Sequence, residues 1–238
     1  SKVRERENLP VFVGGTGLYL RALAEGLFSA HRGSDHWRKR LRGISEDSGH
    51  HYVHKILQRL DPEAAKRISS RDQPKVIRAI EVRLETGKSL SEHLRQKPRT
   101  PLVGFEIILI GLCPPRHALY DRINERVVSM WNNNLVDEVQ GLISSGLNRQ
   151  SKAFDAIGYR HALEYLDGKI SREEAIMLMQ RDTRRYAKRQ ITWFKKQHSL
   201  QWFEGFGNDE GVRKRVHHFV RDVLSVRFGP LLISKSRV

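Results

Sequence analysis

FEIILIGL, Phe105 to Leu112, is the stretch on which the fold turns. An apolar run of this length with almost no polar interruption predicts a strand covered on both faces, as in a parallel sheet flanked by helices. Cys113-Pro114-Pro115 ends it. VFVGGTGLYL, Val11 to Leu20, follows the same order: buried strand, Gly-Gly-Thr-Gly turn, then a helix running into RALAEGL. Glycines there let a ligand approach the backbone, and Thr16 adds a hydroxyl; a plain strand-to-helix turn would use the same residues. LQWFEG, Leu200 to Gly205, predicts a last short strand. Buried strands separated by helices imply a parallel α/β sheet with crossovers. Two long strands and one short one do not make a stable doubly covered sheet. Further strands are therefore expected ahead of Ser1, which is not a Met.

Between Phe28 and Pro101 the periodicity is helical. Trp37, Leu41 and Ile44 share one face of a first helix, and Tyr52, Val53, Ile56, Leu57 and Leu60 mark a second. Asp61-Pro62 supplies an N-cap and first-turn proline for a third, ending near Ile68. Asp72 is the expected N-cap of a fourth, with a stripe of Val76, Ala79, Ile80 and Val82 and Gly87 as terminator. Ser89 and Glu92 have capping-box spacing, as do Ser171 and Glu174. After the Pro114-Pro115 pair, Leu119, Ile123, Val127 and Met130 form the stripe of a long helix. NNNL breaks that helix, with Asn134 suited to the left-handed conformation. Three more helical stretches precede LQWFEG; Val212 to Leu224 predicts a final amphipathic helix, and SVRFGPLLISKSRV a frayed tail.

The chain has 238 residues and a formal charge of +16, from 43 Lys+Arg against 27 Asp+Glu. That excess favours a polyanionic partner, nucleic acid before an anionic membrane. A single cysteine, Cys113, excludes a disulfide framework and a cysteine-rich zinc site. No apolar run reaches membrane-spanning length and the N-terminus lacks a signal-peptide profile, so cytoplasm is expected. The positive charge concentrates in RDTRRYAKRQITWFKK, Arg181 to Lys196. On a helical wheel Arg181, Arg184, Arg185, Lys188, Arg189, Lys195 and Lys196 fall on one arc. Thr183, Tyr186, Ala187, Gln190, Trp193 and Phe194 fall on the other. Only Asp182 interrupts the cations, whereas a merely solvated helix mixes both signs. A cationic ridge of this kind suits phosphates, whose neutralisation releases counterions.

VFVGGTGLYLRALAEGL, DQPKVIRAIEVRLETGKSLSE, LYDRINERVVSMWNNNLVDEVQGL, AIGYRHALEYLDG and TRRYAKRQITWFKK, five blocks spanning roughly Leu9 to Phe206, together resemble the bacterial tRNA dimethylallyltransferases, or tRNA isopentenyltransferases. The resemblance implies transfer of a dimethylallyl group from its diphosphate, with Mg²⁺, to N6 of adenine 37 beside the tRNA anticodon. It also implies a P-loop kinase-like sheet with a large helical, tRNA-binding insertion. The core α/β part is then expected at 1–30, 102–128 and 178–206, the helical regions at 31–101 and 129–177, and a C-terminal helix and tail at 207–238. Family members open with a P-loop and a general-base aspartate, yet no G-x-x-x-x-G-K-[ST] occurs in this sequence. The chain is accordingly expected to be the C-terminal two-thirds or so of such an enzyme, a monomer, inactive alone. Asn134, where the family commonly has glycine, and the residues after about Gly207 depart from the pattern.

The resemblance places Thr16 beside the amine that is alkylated; on the residues alone, a helix-capping role stands equally open. Arg122 and Arg126, one turn apart after the FEIILIGL strand, are candidates for the leaving diphosphate, because a guanidinium fork grips phosphate oxygens. Surface charge on an amphipathic helix is their alternative. Arg38, and the segment Pro74, Lys75, Val76, Ile77 and Arg78, match family positions that touch tRNA. Arg160 of AIGYR, with Arg184, Lys188 and Arg189, would grip the anticodon stem-loop. Tyr19, Tyr159 or Trp193 would stack on an extruded base, Trp193 also fitting a core position. A stand-alone RNA-binding module without catalysis is the alternative of a different class. A small-molecule kinase-like or free-adenylate enzyme would have no use for the ridge.

Overall fold

The computed structural model describes residues 2–6, 8–26, 34–96, 104–197 and 199–228. In chain order the helices are α1 (Lys2–Glu5), α2 (Gly17–Glu25), α3 (Asp35–Ser48), α4 (His50–Leu60), α5 (Pro62–Arg67), α6 (Gln73–Thr86) and α7 (Leu90–Gln96). Strand β1 (Leu109–Leu112) follows, then α8 (Arg116–Asn132), α9 (Leu135–Ser144), a 3-10 turn (Lys152–Asp155), α10 (Tyr159–Leu166), α11 (Arg172–Phe194), strand β2 (Leu200–Phe203) and α12 (Glu210–Phe228). The chain forms two compact units, Leu18–Glu106 and Ser1–Gly17 with Ile107–Val238. This division differs from the expected one, because 129–177 shares a core with the helices on either side of it.

In the helical unit, Leu41 of α3, Val53 and Leu57 of α4 and Val76, Ala79 and Ile80 of α6 close one core. Burying side chains such as Val53 and Leu57 completely contributes roughly 1.5–3 kcal/mol each. Tyr52, expected on this face, is 51% exposed; it lies one residue, about 100°, from Val53 and falls outside the stripe. Asp61 joins three helices. Its N–H closes α4 on Leu57 O at 2.7 Å, while its two carboxylate oxygens accept from the N–H of Ala64 (3.0 Å) and of Ser91 (2.9 Å). Asp72 occupies the N-cap position of α6 but makes no side-chain cap, its carboxylate being taken by Lys75. Gly87 ends α6 at φ 72°, and Ser89 and Glu92 form the expected reciprocal cap at 3.1 and 2.6 Å.

In the other unit, β1 and β2 run parallel, from Leu109 opposite Leu200 to Leu112 opposite Phe203. The unit therefore has the predicted α/β character, but β1 is half the length of FEIILIGL and Leu112 is 44% exposed. The expectation of cover on both faces is not met among the described residues: no side chain of β1 is fully buried. Val11, Phe12 and Val13 form no strand and are 73%, 69% and 96% exposed. An apolar run becomes a buried strand only where a neighbour takes its backbone hydrogen bonds, and none does among the described residues. Helices α8 to α11 pack around Val127, Trp131, Leu135, Val139, Phe154, Ala162, Ala175 and Met179. Asn134 takes the left-handed conformation (φ 68°) between α8 and α9. The Ser171 hydroxyl caps α11, accepting from Glu174 N–H at 3.1 Å. Helix α12 continues to Phe228, four residues beyond the expected end; the rest of the predicted tail, 229–238, lies outside the described residues.

Candidate nucleic-acid interface

The basic stretch is the second half of α11, a helix of 23 residues. Its three sides do different things. Towards α8, Gln180 and Arg184, one turn apart, both reach Asn124: Gln180 donates to the carbonyl at 3.2 Å and Arg184 to the side-chain oxygen at 2.5 Å. Arg184, expected on the outer ridge, is thus half-buried and bound to a neighbouring helix. It shares the side of the helix that Gln180 uses, four residues earlier. Outward stand Arg181, Arg185, Lys188 and Arg189, all exposed. Tyr186, assigned to the apolar arc, is also 39% exposed, with the Arg189 guanidinium over its ring at 5.6 Å.

The third side holds the GGTG loop. Gln190 donates from Nε2 to the Gly15 carbonyl at 2.9 Å, across 175 residues of sequence. A Cβ on Gly15 would stand 2.2 Å from that nitrogen, and one on Gly17 would stand 2.3 Å from the Trp193 ring. At Gly17 the rigid indole leaves room only for glycine, whereas a side chain at Gly15 would turn the Gln190 amide away. Thr16 between them is exposed, and its hydroxyl makes no hydrogen bond among the described residues. Trp193 is half-buried, with the Gly17 backbone against its ring and Phe194 edge-on at 4.8 Å, which favours a packing role over base stacking. Tyr19 remains 73% exposed. A polar Gln190 on an apolar arc was the one sequence signal of this latch.

AIGYR becomes intelligible at the start of α10. Gly158 has φ 103°, and a Cβ there would come within 3.2 Å of Met179 Cε. The next residues alternate in direction. Tyr159 gives its hydroxyl to Glu138, a hydrogen bond that holds the phenol above its usual pKa. Arg160 points out, 47% exposed, and His161 points in, 2% exposed. His161 Nδ1 accepts from Gly158 N–H at 3.4 Å, so the proton sits on Nε2, which donates to Asp182 Oδ2 at 3.3 Å. Burial, aided by Arg160 beside it, lowers the His161 pKa and favours the neutral ring.

Asp182, which looked like a mere interruption, collects the cations around it. Oδ2 takes Arg160 Nη2 at 2.7 Å as well as His161, while Oδ1 faces Arg181 Nε at 3.0 Å and Arg185 Nη1 at 3.7 Å. The hydrogen bond from Arg181, then its charge and the bond from His161, hold this carboxyl below its usual pKa against burial. Arg160 thus belongs to the same surface as the ridge.

Arg122 and Arg126 are exposed on α8. Arg122 lies over the Phe206 ring at 4.6 Å and donates to Asn208 Oδ1 at 3.0 Å, so it also ties α8 to the loop after β2. Arg126 has no such partner among the described residues.

In the helical unit the candidates separate. Val76 and Ile77 are 0% and 6% exposed and belong to the core, so their side chains cannot meet RNA; they are the inward positions of the α6 stripe. Pro74 and Lys75 are exposed, Lys75 paired with Asp72. Arg38 and Arg78 converge on Glu81, whose side chain is 0% exposed, at 3.0 and 2.7 Å. The Arg38 Nε–H is not aimed at the oxygen it faces, leaving Glu81 Oε1 an ion-pair contact without an aligned hydrogen bond. Among the described residues no three His, Cys, Asp or Glu side chains converge as a metal site would require.

A family model described as IPP transferase matches residues 1–197. A tRNA dimethylallyltransferase of Koribacter versatilis is 47% identical over 210 residues, 88% of this chain and 68% of that protein. Among solved structures, the tRNA isopentenylpyrophosphate transferase of Bacillus halodurans matches 94% of this chain and 69% of its own length, at TM-score 0.60 and 34% identity. A eukaryotic dimethylallyltransferase acting on tRNA shares the fold at TM-score 0.73 and 24% identity, over 95% of this chain and 59% of its own. With the family model covering most of its length and relatives this similar, the chain belongs to the IPP transferase family.

Proposed function

We propose that this chain belongs to an enzyme that moves a dimethylallyl group from dimethylallyl diphosphate to N6 of adenine 37 in tRNA. The reading rests on one observation: a single helix presents Arg181, Arg185, Lys188 and Arg189 outward while Gln190 on the same helix holds the loop bearing Thr16. RNA grip and chemistry are thus built on one rigid element. N6 attacks the allylic C1; the C1–O bond breaks, and diphosphate leaves with the electron pair. One N6 proton must then pass to an acceptor. The adenine amine is a weak nucleophile, and the Thr16 hydroxyl orients it by accepting an N6 hydrogen bond. Arg126, with Arg122 beside it, faces the charge that develops on the leaving group. Mg²⁺ is proposed to accompany the diphosphate, but the described residues offer it no ligand cluster and no step here depends on it.

The resemblance assigns the proton acceptor to an aspartate that these residues do not contain, so this chain by itself is proposed to bind tRNA without turnover. It is proposed to act as a cytoplasmic monomer. No described helix is long and apolar enough to cross a membrane. The full-length protein is expected to prenylate an anticodon stem-loop with adenine at position 37 and to ignore one with guanine there; equal labelling of both would refute the reading. Thr16→Ala is expected to lower the rate more than it weakens RNA binding, and the reverse order would remove Thr16 from the site.

A further inference from the structure

We infer that Asp182 is a positioning residue for RNA, its carboxylate holding Arg160, Arg181 and Arg185 as a preset phosphate-binding triad. The inference rests on the tRNA-binding reading above and adds Arg181, Arg185, Asp182 and His161 to it. Oδ2 accepts from Arg160 and His161 and Oδ1 from Arg181, while Arg185 stands in ion-pair range of Oδ1 at 3.7 Å. The side chain of Asp182 is 13% exposed, while the three arginines are 47%, 45% and 64% exposed. The anchor is inside and the grips are outside. A guanidinium carries five N–H groups, so each arginine keeps donors for a phosphate after binding the carboxylate.

Buried His161, its proton fixed on Nε2 by the Gly158 N–H, holds the carboxylate from beneath. Arg160 comes from α10 and the other two from α11, so the carboxylate also fixes the spacing between helices. Three flexible cations would otherwise repel one another and lose side-chain entropy on meeting RNA; ordering them beforehand removes that cost. Lys188 continues the row from Arg181 and Arg185, advancing about 1.5 Å per residue along the helix. A row suits a chain of phosphates better than a single anion.

The test exploits a sign. Asp182→Asn removes a negative charge, so charge counting alone makes RNA bind more tightly and with a steeper salt dependence. The triad instead predicts that affinity for a tRNA anticodon stem-loop falls about fivefold and the salt slope becomes shallower. Glu173→Gln, which removes a negative charge at the other end of α11, is expected not to weaken binding. Thermal unfolding shows whether Asp182→Asn stays folded. If it does not, Arg160→Gln, Arg185→Gln and their double variant replace it, and a double no weaker than either single supports one shared site. Independent, additive losses overturn the inference, and so does a folded Asp182→Asn protein that holds RNA as tightly as the parent or more tightly. A parent protein that fails to bind tRNA at all refutes the proposed function instead.

Discussion

In the helical unit Arg38 and Arg78 close on Glu81, whose side chain has no exposed surface; in the other unit Arg160, Arg181 and Arg185 close on Asp182, which keeps 13%. The same charges serve different ends because of where the carboxylate sits. Glu81 lies under Arg38 and Arg78, which are only 30% and 31% exposed, and the two guanidiniums make its burial tolerable. Around Asp182 the arginines are nearer half exposed, and each has more N–H donors than the carboxylate takes. An arginine's availability to RNA is therefore read from the burial of its partner. The contrast ranks Arg160, Arg181 and Arg185 as grips and Arg38 and Arg78 first as supports of the fold.

The largest test of that contrast is Glu81→Ala. Removing the buried partner strands two half-buried guanidiniums, and a loss of about 3 kcal/mol in denaturant unfolding is expected. RNA affinity of the folded fraction should change little. Unchanged stability with a large loss of RNA affinity would invert the ranking.

Asp61 belongs to the same side of the comparison, as a buried carboxylate bonded by backbone N–H groups, with the Arg67 charge a smaller contribution. Burial raises its pKa, but the hydrogen bonds from the Ala64 and Ser91 N–H groups outweigh this and hold it below the usual range. Its folded pKa is thus below the unfolded value of about 3.9. The stability it contributes is complete above that value and is lost as pH falls through the folded pKa. Asp61→Asn can satisfy only one of the two N–H donors and is expected to cost about 2 kcal/mol at neutral pH. It should also flatten the acid limb of the stability profile; an unaltered acid limb would remove Asp61 as its source.

On the other unit, Gly15→Ala would place a Cβ against Gln190 Nε2 and turn that amide away, breaking the hydrogen bond that ties the Thr16 loop to α11. A roughly tenfold slower prenyl transfer in the full-length protein is expected, with RNA affinity kept within about twofold. Gln190→Ala, which removes the same hydrogen bond, should slow transfer to a similar degree, and the double variant should be no slower than either single. Equal loss of rate and affinity would mean that the loop belongs to the grip and not to the chemistry.

Much of this was legible beforehand, because local rules decide local structure. Asp61-Pro62, Ser89 with Glu92, Gly87 and Asn134 each act within four residues, and each does what its spacing implies. The stripes of α3, α4 and α6 that build the first core follow from period alone, whereas in the second core period marked only Val127 and Met130 of α8; the parallel pairing of β1 with β2 follows from two apolar runs parted by helices. What stayed hidden was distant pairing. Glu81 meets Arg38 across 43 residues, Asp182 meets Arg160 across 22 and Gln190 meets Gly15 across 175. No wheel or spacing reports such contacts. Val76 and Ile77 show the converse error: a segment matched as a block hid the fact that its middle faces the core.

The smallest expected effect separates two residues that the helical wheel put on one arc. Lys188 is exposed with its charge outward, whereas Arg184 is spent on Asn124 of α8. If the exposed cations do the gripping, Lys188→Gln should lower RNA affinity a few-fold and reduce the logarithmic salt slope by about 1. Arg184→Gln should leave the slope nearly unchanged and lower stability by about 1 kcal/mol, the scale of one hydrogen bond lost between helices. Titration of a labelled anticodon stem-loop at several salt concentrations measures both. Equal slopes for the two variants would mean that Arg184 leaves Asn124 when RNA arrives, and the ridge would then be one residue wider than its unbound form shows.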